Sequence, residues 1–134
     1  MSSIPTGDDV LEAAEPVLAL PDVAAKLRIP ITKVHQQLRD GHLIALRRDG
    51  MVVVPTAFFT ESGALIKSLP GLLAVLRDGG YGDTEILRWL FTPDPSLTLT
   101  FDGSRESTAN ARPVDALKSH QAREIVRRAQ ALAY

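Results

Sequence analysis

The chain contains no cysteine among its 134 residues. Disulfide bridges, thiolate metal sites and cysteine nucleophiles are therefore excluded. Aromatic residues make up only 5% of the sequence, and no apolar run approaches the roughly 20 residues that a transmembrane helix needs. The first residues also lack a basic leader followed by an apolar stretch, which is the pattern of a secretory signal. We therefore expect a cytoplasmic protein.

Motifs typical of enzymes are also missing. The three histidines, His35, His42 and His120, do not have the HExxH spacing of a zinc enzyme. The sequence has neither of the glycine motifs that bind phosphate, GxGxxG and GxxxxGK followed by Ser or Thr, and it has no GxSxG nucleophile motif. We therefore predict that the protein is not an enzyme and that it holds no cofactor and no metal.

Charge is distributed unevenly along the chain, although the formal net charge is only −1. Residues 1–20 carry four carboxylates and no basic residue, whereas residues 21–55 carry six basic residues against three acidic ones. Segments that bind nucleic acid are commonly basic, so residues 21–55 are the candidate contact region. We also hypothesise that the acidic first segment competes with DNA for this region.

Two short helices separated by a tight break are predicted in the region before Gly41. Pro21 suits the first turn of a helix because its φ is already set. Pro30 disfavours helical geometry in the residue before it, so the first helix has to end there. A second helix is predicted over Ile31–Asp40, and Gly41 suits its C-terminal end.

A β-hairpin is predicted directly after the second helix, over residues 42–55. The β-branched residues of Met51–Val54 follow a two-residue Asp49–Gly50 loop, which is the strongest short hairpin signal. Arg47 and Arg48 lie beside the tip of this hairpin. Helix, tight turn, helix and hairpin in this order are typical of a winged helix-turn-helix.

The second helix is predicted to present a polar outer face. At about 100° per residue, Ile31, Val34 and Leu38 share one side, which we expect to be buried. In the major groove glutamine pairs with adenine, and arginine or lysine pairs with guanine. An ordinary solvated helix face is the alternative explanation. The predicted DNA-contacting residues are Thr32, Lys33, Gln36, Gln37 and Arg39 on the helix, and Arg47 and Arg48 on the hairpin.

The chain beyond residue 60 is predicted to be mainly helical. Gly79–Gly80 is interpreted as a helix stop. Trp89 is predicted to be mainly core, with a place in an interface as the alternative. The predicted elements are a helical turn at Ala57–Phe59, helices at Pro70–Asp78, Glu85–Phe91, Pro113–Ser119 and Gln121–Ala133, and a short strand at Leu97–Phe101 followed by a polar loop.

The sequence LRIPITKVHQQLRDGHL resembles the helix-turn-helix of the excisionase and mercury-regulator type. The segments SIPTGDDV, KSLPGLL, DTEILRWLFTPDPSLT and NARPVDAL extend a resemblance over almost the whole chain. They are similar to a mycobacterial and actinobacterial family of DNA-binding proteins described as substrates of serine/threonine protein kinase L. This resemblance implies a cytoplasmic regulator whose partners are double-stranded DNA and a serine/threonine protein kinase.

The predicted fold class is mainly α with a small β-hairpin wing (α+β). A chain of 134 residues, 45% of them hydrophobic, is large enough for one or two small globular units. We expect an acidic flexible tail at residues 1–17, a winged helix-turn-helix domain at residues 18–60 and a helical domain at residues 61–134.

The chain departs from the excisionase-type pattern at two positions. Pro30 stands where a serine or threonine is usual, and His35 stands where an aromatic residue is common. Thr6 is the candidate phosphorylation site in the tail.

The predicted function is that of a DNA-binding, transcription-regulating protein. The alternative is a protein-interaction module in which residues 89–134 bind another protein, such as a toxin, or a second copy of the chain. The sequence does not decide between a monomer and a homodimer.

Overall fold

The computed structural model describes residues 5–100 and 107–134. In this part of the chain, six α-helices and one short 3-10 helix accompany a four-stranded sheet and a separate two-stranded ribbon. The helices are Leu20–Leu27 (α1), Ile31–Arg39 (α2), Leu69–Asp78 (α3), Asp83–Phe91 (α4), Pro113–Leu117 (α5) and Ala122–Ala133 (α6). The strands are Thr6–Gly7 (β1), Val17–Ala19 (β2), Ala45–Arg48 (β3), Met51–Pro55 (β4), Leu99–Thr100 (β5) and Ser107–Thr108 (β6).

Helices α1 and α2 form the predicted helix-turn-helix. Arg28 ends α1 in the left-handed region at φ 58°, and the backbone N–H of Ile29 donates to the carbonyl oxygen of Ala24 at 3.1 Å. This hydrogen bond closes the end of α1. Pro30 then precedes the first residue of α2 in extended geometry, with φ −62° and ψ 151°, so the second helix begins without delay.

Strands β3 and β4 form the predicted hairpin, which we call the wing. They pair antiparallel, with Leu46 opposite Val53 and Arg48 opposite Met51. The turn between them has φ 52° at Asp49 and φ 78° at the glycine that follows. Two positive φ values are what a type I′ turn requires, and Asp-Gly suits that turn.

The N-terminal segment belongs to the sheet, whose strand order is β1-β3-β4-β2. Strand β1 runs parallel to β3, with Thr6 opposite Ala45, and β2 runs antiparallel to β4. The structure therefore differs from the predicted flexible tail over residues 5–17, because backbone pairing holds both ends of this segment. A strand of two residues has too little periodicity to be detected in a sequence.

The second half of the chain follows the predicted helices closely. Helix α5 is shorter than predicted, since it ends at Leu117. The predicted strand at Leu97–Phe101 is observed at β5, which pairs with β6. Leu97 and Thr98 precede β5 without belonging to a strand. The last residue of the predicted strand and the first part of the predicted loop, residues 101–106, lie outside the described residues. Trp89 is half-buried and so lies between the core and the surface.

One hydrophobic core contains buried residues from both halves of the chain. Phe58, in the 3-10 helix that follows the wing, packs edge-on against Phe91 of α4 with ring centroids 5.8 Å apart. The guanidinium of Arg112 lies 5.2 Å from the centroid of the same Phe91 ring. The winged unit and the C-terminal helices therefore support each other, and the predicted boundary at residues 60–61 stays a prediction. Among the described residues, no helix combines the length and the apolar character needed to cross a membrane.

Candidate nucleic-acid interface

Helix α2 has one side anchored in the core and the opposite side exposed. Val34 is 0% exposed and Leu38 is 2% exposed. Residues four or seven positions apart lie on one side of a helix, so positions 32, 36 and 39 form a continuous outer face. The exposed side chains of this outer face are Thr32, Lys33, Gln36 and Arg39.

The prediction that Ile31 is buried with Val34 and Leu38 was wrong, because Ile31 is 40% exposed. It lies about 60° around the helix axis from Val34 and about 20° from Leu38, so it points to the apolar side. It is also the first residue of α2. Periodicity gives the direction of a side chain, but it does not show whether the body of the protein extends under the first turn of a helix.

Gln37 lies apart from the other predicted contact residues of α2. It is half-buried, and its side-chain oxygen is buried without a hydrogen-bond partner among the described residues. Its amide is therefore less accessible than that of Gln36, which belongs to the outer face.

The two arginines of the wing lie in different environments. Arg47 is exposed, whereas the side chain of Arg48 is only 14% exposed. The Nε and Nη2 atoms of Arg48 donate to the carboxylate of Asp9 at 2.8 and 3.0 Å. Arg48 also donates to the backbone carbonyl oxygens of Glu15 at 2.8 Å and Glu12 at 3.1 Å. Arg48, predicted as a DNA contact, is thus occupied by the N-terminal segment.

Residues 8–16, which we call the acidic strap, are held by two arginines, Arg48 of the wing and Arg112 before α5. The hydrogen bond from Arg48 holds the pKa of Asp9 below its ordinary value, so this carboxylate stays ionised to a lower pH than an ordinary aspartate. At the other end of the strap, Glu15 pairs with Arg112, which also pairs with Asp115 at 2.8 Å. The strap therefore connects the wing to the segment that begins α5.

Three basic side chains near the outer face remain available to a ligand. Lys33, Arg39 and Arg47 make no ion pair with any residue in the described ranges. The exposed side of α2 and the tip of the wing thus combine cationic groups with an amide and a hydroxyl group.

Comparison with known proteins identifies the family. Residues 3–59 match the model described as "DNA-binding protein Rv2175c, wHTH domain", and residues 66–133 match the model described as "Rv2175c C-terminal domain of unknown function". The chain belongs to the Rv2175c family. It is 67% identical over 134 residues to the DNA-binding protein Rv2175c of Mycobacterium tuberculosis (strain ATCC 25618 / H37Rv), covering 100% of this chain and 92% of the relative.

The fold agrees with a solved member of the Rv2175c family. The NMR structure of Rv2175c superposes with a TM-score of 0.89 at 68% sequence identity, over 99% of this chain and 91% of that chain. The predicted resemblance to a mycobacterial winged helix-turn-helix family is confirmed, and so is the predicted fold class. The individual contact residues stay predictions.

The C-terminal helices support α2 in this chain. Arg77 of α3 donates to the backbone carbonyl oxygen of Gly41, just beyond α2, and pairs with Asp83 at 3.0 Å. The sequence predicts Gly41 at the end of the helix, and its φ of 81° agrees. Arg77 was missed because a contact between residues 36 positions apart leaves no local signal in the sequence.

Proposed function

We propose that this member of the Rv2175c family binds double-stranded DNA and regulates transcription, with α2 in the major groove and the wing on the flanking backbone. The observation that carries the proposal is the outer face of α2. Lys33 and Arg39 are exposed there without an ion pair to any described residue, while the opposite side of the helix is anchored in the core. The name of the Mycobacterium tuberculosis relative, a DNA-binding protein, supports it.

The side chains of this face have the chemistry that a duplex requires. The amide of Gln36 suits adenine, and Lys33 and Arg39 suit guanine or phosphate. Arg47, on the wing, suits the phosphates beside the groove, where a contact fixes the position of the protein without reading sequence. Because Val34 and Leu38 hold the helix rigidly, these groups are positioned before DNA arrives.

Regulation by a serine/threonine protein kinase belongs to the same proposal and is supported by the family resemblance. The candidate acceptor Thr6 is half-buried in β1, opposite Ala45 of β3. A kinase would reach its hydroxyl group after β1 had left the sheet. Phosphorylation would add negative charge beside Asp8 and Asp9, in the segment that contacts the wing.

Replacement of Lys33 by alanine tests the binding mode. If Lys33 faces DNA, Lys33→Ala should weaken binding to a labelled duplex. It should also flatten the plot of log affinity against log salt concentration by about one unit, because one fewer counterion is released. Fluorescence anisotropy titrations at several salt concentrations measure both effects.

Arg88→Ala is the matched control, since Arg88 is an exposed cation on α4 that belongs neither to the outer face nor to the wing. It removes the same charge and should leave the salt slope unchanged. Thermal melts establish that both variants are folded. Equal effects of the two variants, or no duplex binding by the parent protein, would contradict the proposal and favour the protein-interaction function.

A further inference from the structure

Four large apolar side chains are exposed in the described part of the chain, and one of them lies on α2. They are Ile31 at 40%, Met51 at 55%, Leu132 at 45% and Tyr134 at 85% exposed. Ile31 is the first residue of α2 and directly precedes the polar outer face. We propose that Ile31 determines specificity by packing against the C5-methyl group of thymine in the major groove, an inference that rests on the proposed function.

The place of Ile31 in the helix favours this role. In helix-turn-helix proteins the N-terminal residues of the second helix contact base edges. Pro30, extended at φ −62°, fixes the entry of the chain into α2, so the first side chain after it has a defined position. An isoleucine in a helix has one strongly preferred χ1 rotamer. It therefore loses little conformational entropy when it meets a base.

The chemistry of isoleucine selects the base. Each base pair presents hydrogen-bond donors and acceptors in the major groove, and thymine alone of the four bases adds an apolar group there. An isoleucine pressed against any other edge would remove polar atoms from water without giving them a partner, which is unfavourable. Thr32, the next residue along the helix, is also exposed and can bind the polar atoms of the same or the next base pair.

The size of the effect follows from the burial of one methyl group. At the usual free energy for each buried carbon group, loss of the thymine methyl should weaken binding about fourfold. That change is smaller than the loss of a bidentate hydrogen-bonded pair, so binding persists and the ratio of affinities is measurable.

The test removes the methyl group from the DNA and the side chain from the protein. Fragments bound by the parent protein are selected from random duplexes, and the selected duplex is synthesised with thymine or with uracil at every thymine position. Affinities of the parent protein and of Ile31→Ala are measured by anisotropy on both duplexes. Because Ile31 is exposed, the variant should keep the parent's thermal midpoint.

The parent protein should bind the thymine duplex about four times more tightly than the uracil duplex, so its ratio of affinities is about four. The same ratio should be about one for Ile31→Ala. A change in duplex shape caused by uracil would persist in the variant, so only a difference between the two ratios supports the proposal. Ile31→Val, which keeps the branch at Cβ and loses only the terminal Cδ1 methyl group, should retain most of the parent's ratio.

Two outcomes would overturn the inference, namely a parent that does not distinguish the duplexes, or an unchanged ratio in Ile31→Ala. The second outcome would place Ile31 against something other than a base. Neither would affect the proposed function, which depends on Lys33→Ala and its salt slope. If the parent protein bound no duplex at all, both this inference and the proposed function would be wrong.

Discussion

Arg47 and Arg48 are adjacent in β3, yet the structure separates their roles. Successive side chains of a strand point to opposite faces, so one arginine is exposed while the other meets the acidic strap at Asp9. The sequence favours both as DNA contacts because both are basic and lie beside a turn. Only the path of residues 8–16 distinguishes them. Sequence analysis therefore predicts where positive charge lies, but not whether that charge is already paired.

We expect Arg47→Ala to affect DNA binding and Arg48→Ala to affect stability. Arg47→Ala should weaken duplex binding and flatten the salt slope by about one unit, with no change in the free energy of unfolding. Arg48→Ala should lower the free energy of unfolding by about 1–3 kcal/mol, because it removes hydrogen bonds to a carboxylate and to two carbonyl groups. Anisotropy titrations and urea denaturation separate the two effects.

The pH dependence of Arg48→Ala provides the control. The pKa of Asp9 is lowered in the folded protein, so the stability from this pair is present above the ordinary pKa of an aspartate. It is lost as the pH falls through the lowered value. The variant should lack this part of the acid destabilisation. If Arg48→Ala flattens the salt slope as Arg47→Ala does while stability is unchanged, Arg48 is a DNA contact and the strap is not held by it.

At the scale of elements, long periodic helices are predicted well, but the reasons for their ends are not always visible in sequence. Gly79 and Gly80 are interpreted as a stop for α3, and the structure shows a different role for each. Gly80 has φ 93°, which favours glycine. Gly79 has φ −79°, which any residue adopts. A Cβ atom at Gly79 would lie 2.6 Å from the Cβ atom of Ala133. The packing of α6, which the sequence does not reveal, thus requires the first glycine.

We predict that Gly79→Ala lowers the free energy of unfolding by about 1–3 kcal/mol, the usual cost of an overpacked contact. The added methyl group would also lie 2.7 Å from the Cα atom of Ala133. The backbone of α6 would therefore have to move rather than a flexible side chain. Urea denaturation of the parent and the variant measures the change.

Gly71→Ala is the matched control within α3. A Cβ atom at Gly71 meets nothing within 4 Å, so alanine should raise the free energy of unfolding by about 0.5–1 kcal/mol through its higher helix propensity. Opposite signs for the two glycines would establish the close approach of α3 and α6. A Gly79→Ala variant as stable as the parent would show that the end of α6 moves freely.

At the scale of the whole molecule, the sequence predicts a winged unit and a helical unit but not how they are joined. Composition and periodicity identify apolar residues such as Phe58 and Phe91 without showing that they pack together. The same holds for Glu15 and Arg112, which pair across 97 positions. These contacts between distant positions join the two predicted segments in one core.

We expect the two units to unfold together. Trp89, the single tryptophan, lies in α4, so its fluorescence reports on the helical unit. Val34, which is 0% exposed, lies in the winged unit. Val34→Ala should lower the free energy of unfolding by about 1–3 kcal/mol. If the core is shared, the Val34→Ala change should shift the urea midpoint of Trp89 fluorescence as far as the midpoint of far-UV circular dichroism. One cooperative unit gives coincident transitions.

Thr32→Ala is the control for this experiment, because Thr32 is exposed on the same helix and its replacement should leave both transitions in place. Independent units would give another pattern. The Trp89 transition of Val34→Ala would then stay at the parent's midpoint while the circular dichroism curve separated into two steps. Coincident shifts would instead mean that a change under α2 is felt in α4, and that the C-terminal domain stabilises the helix that we propose to contact DNA.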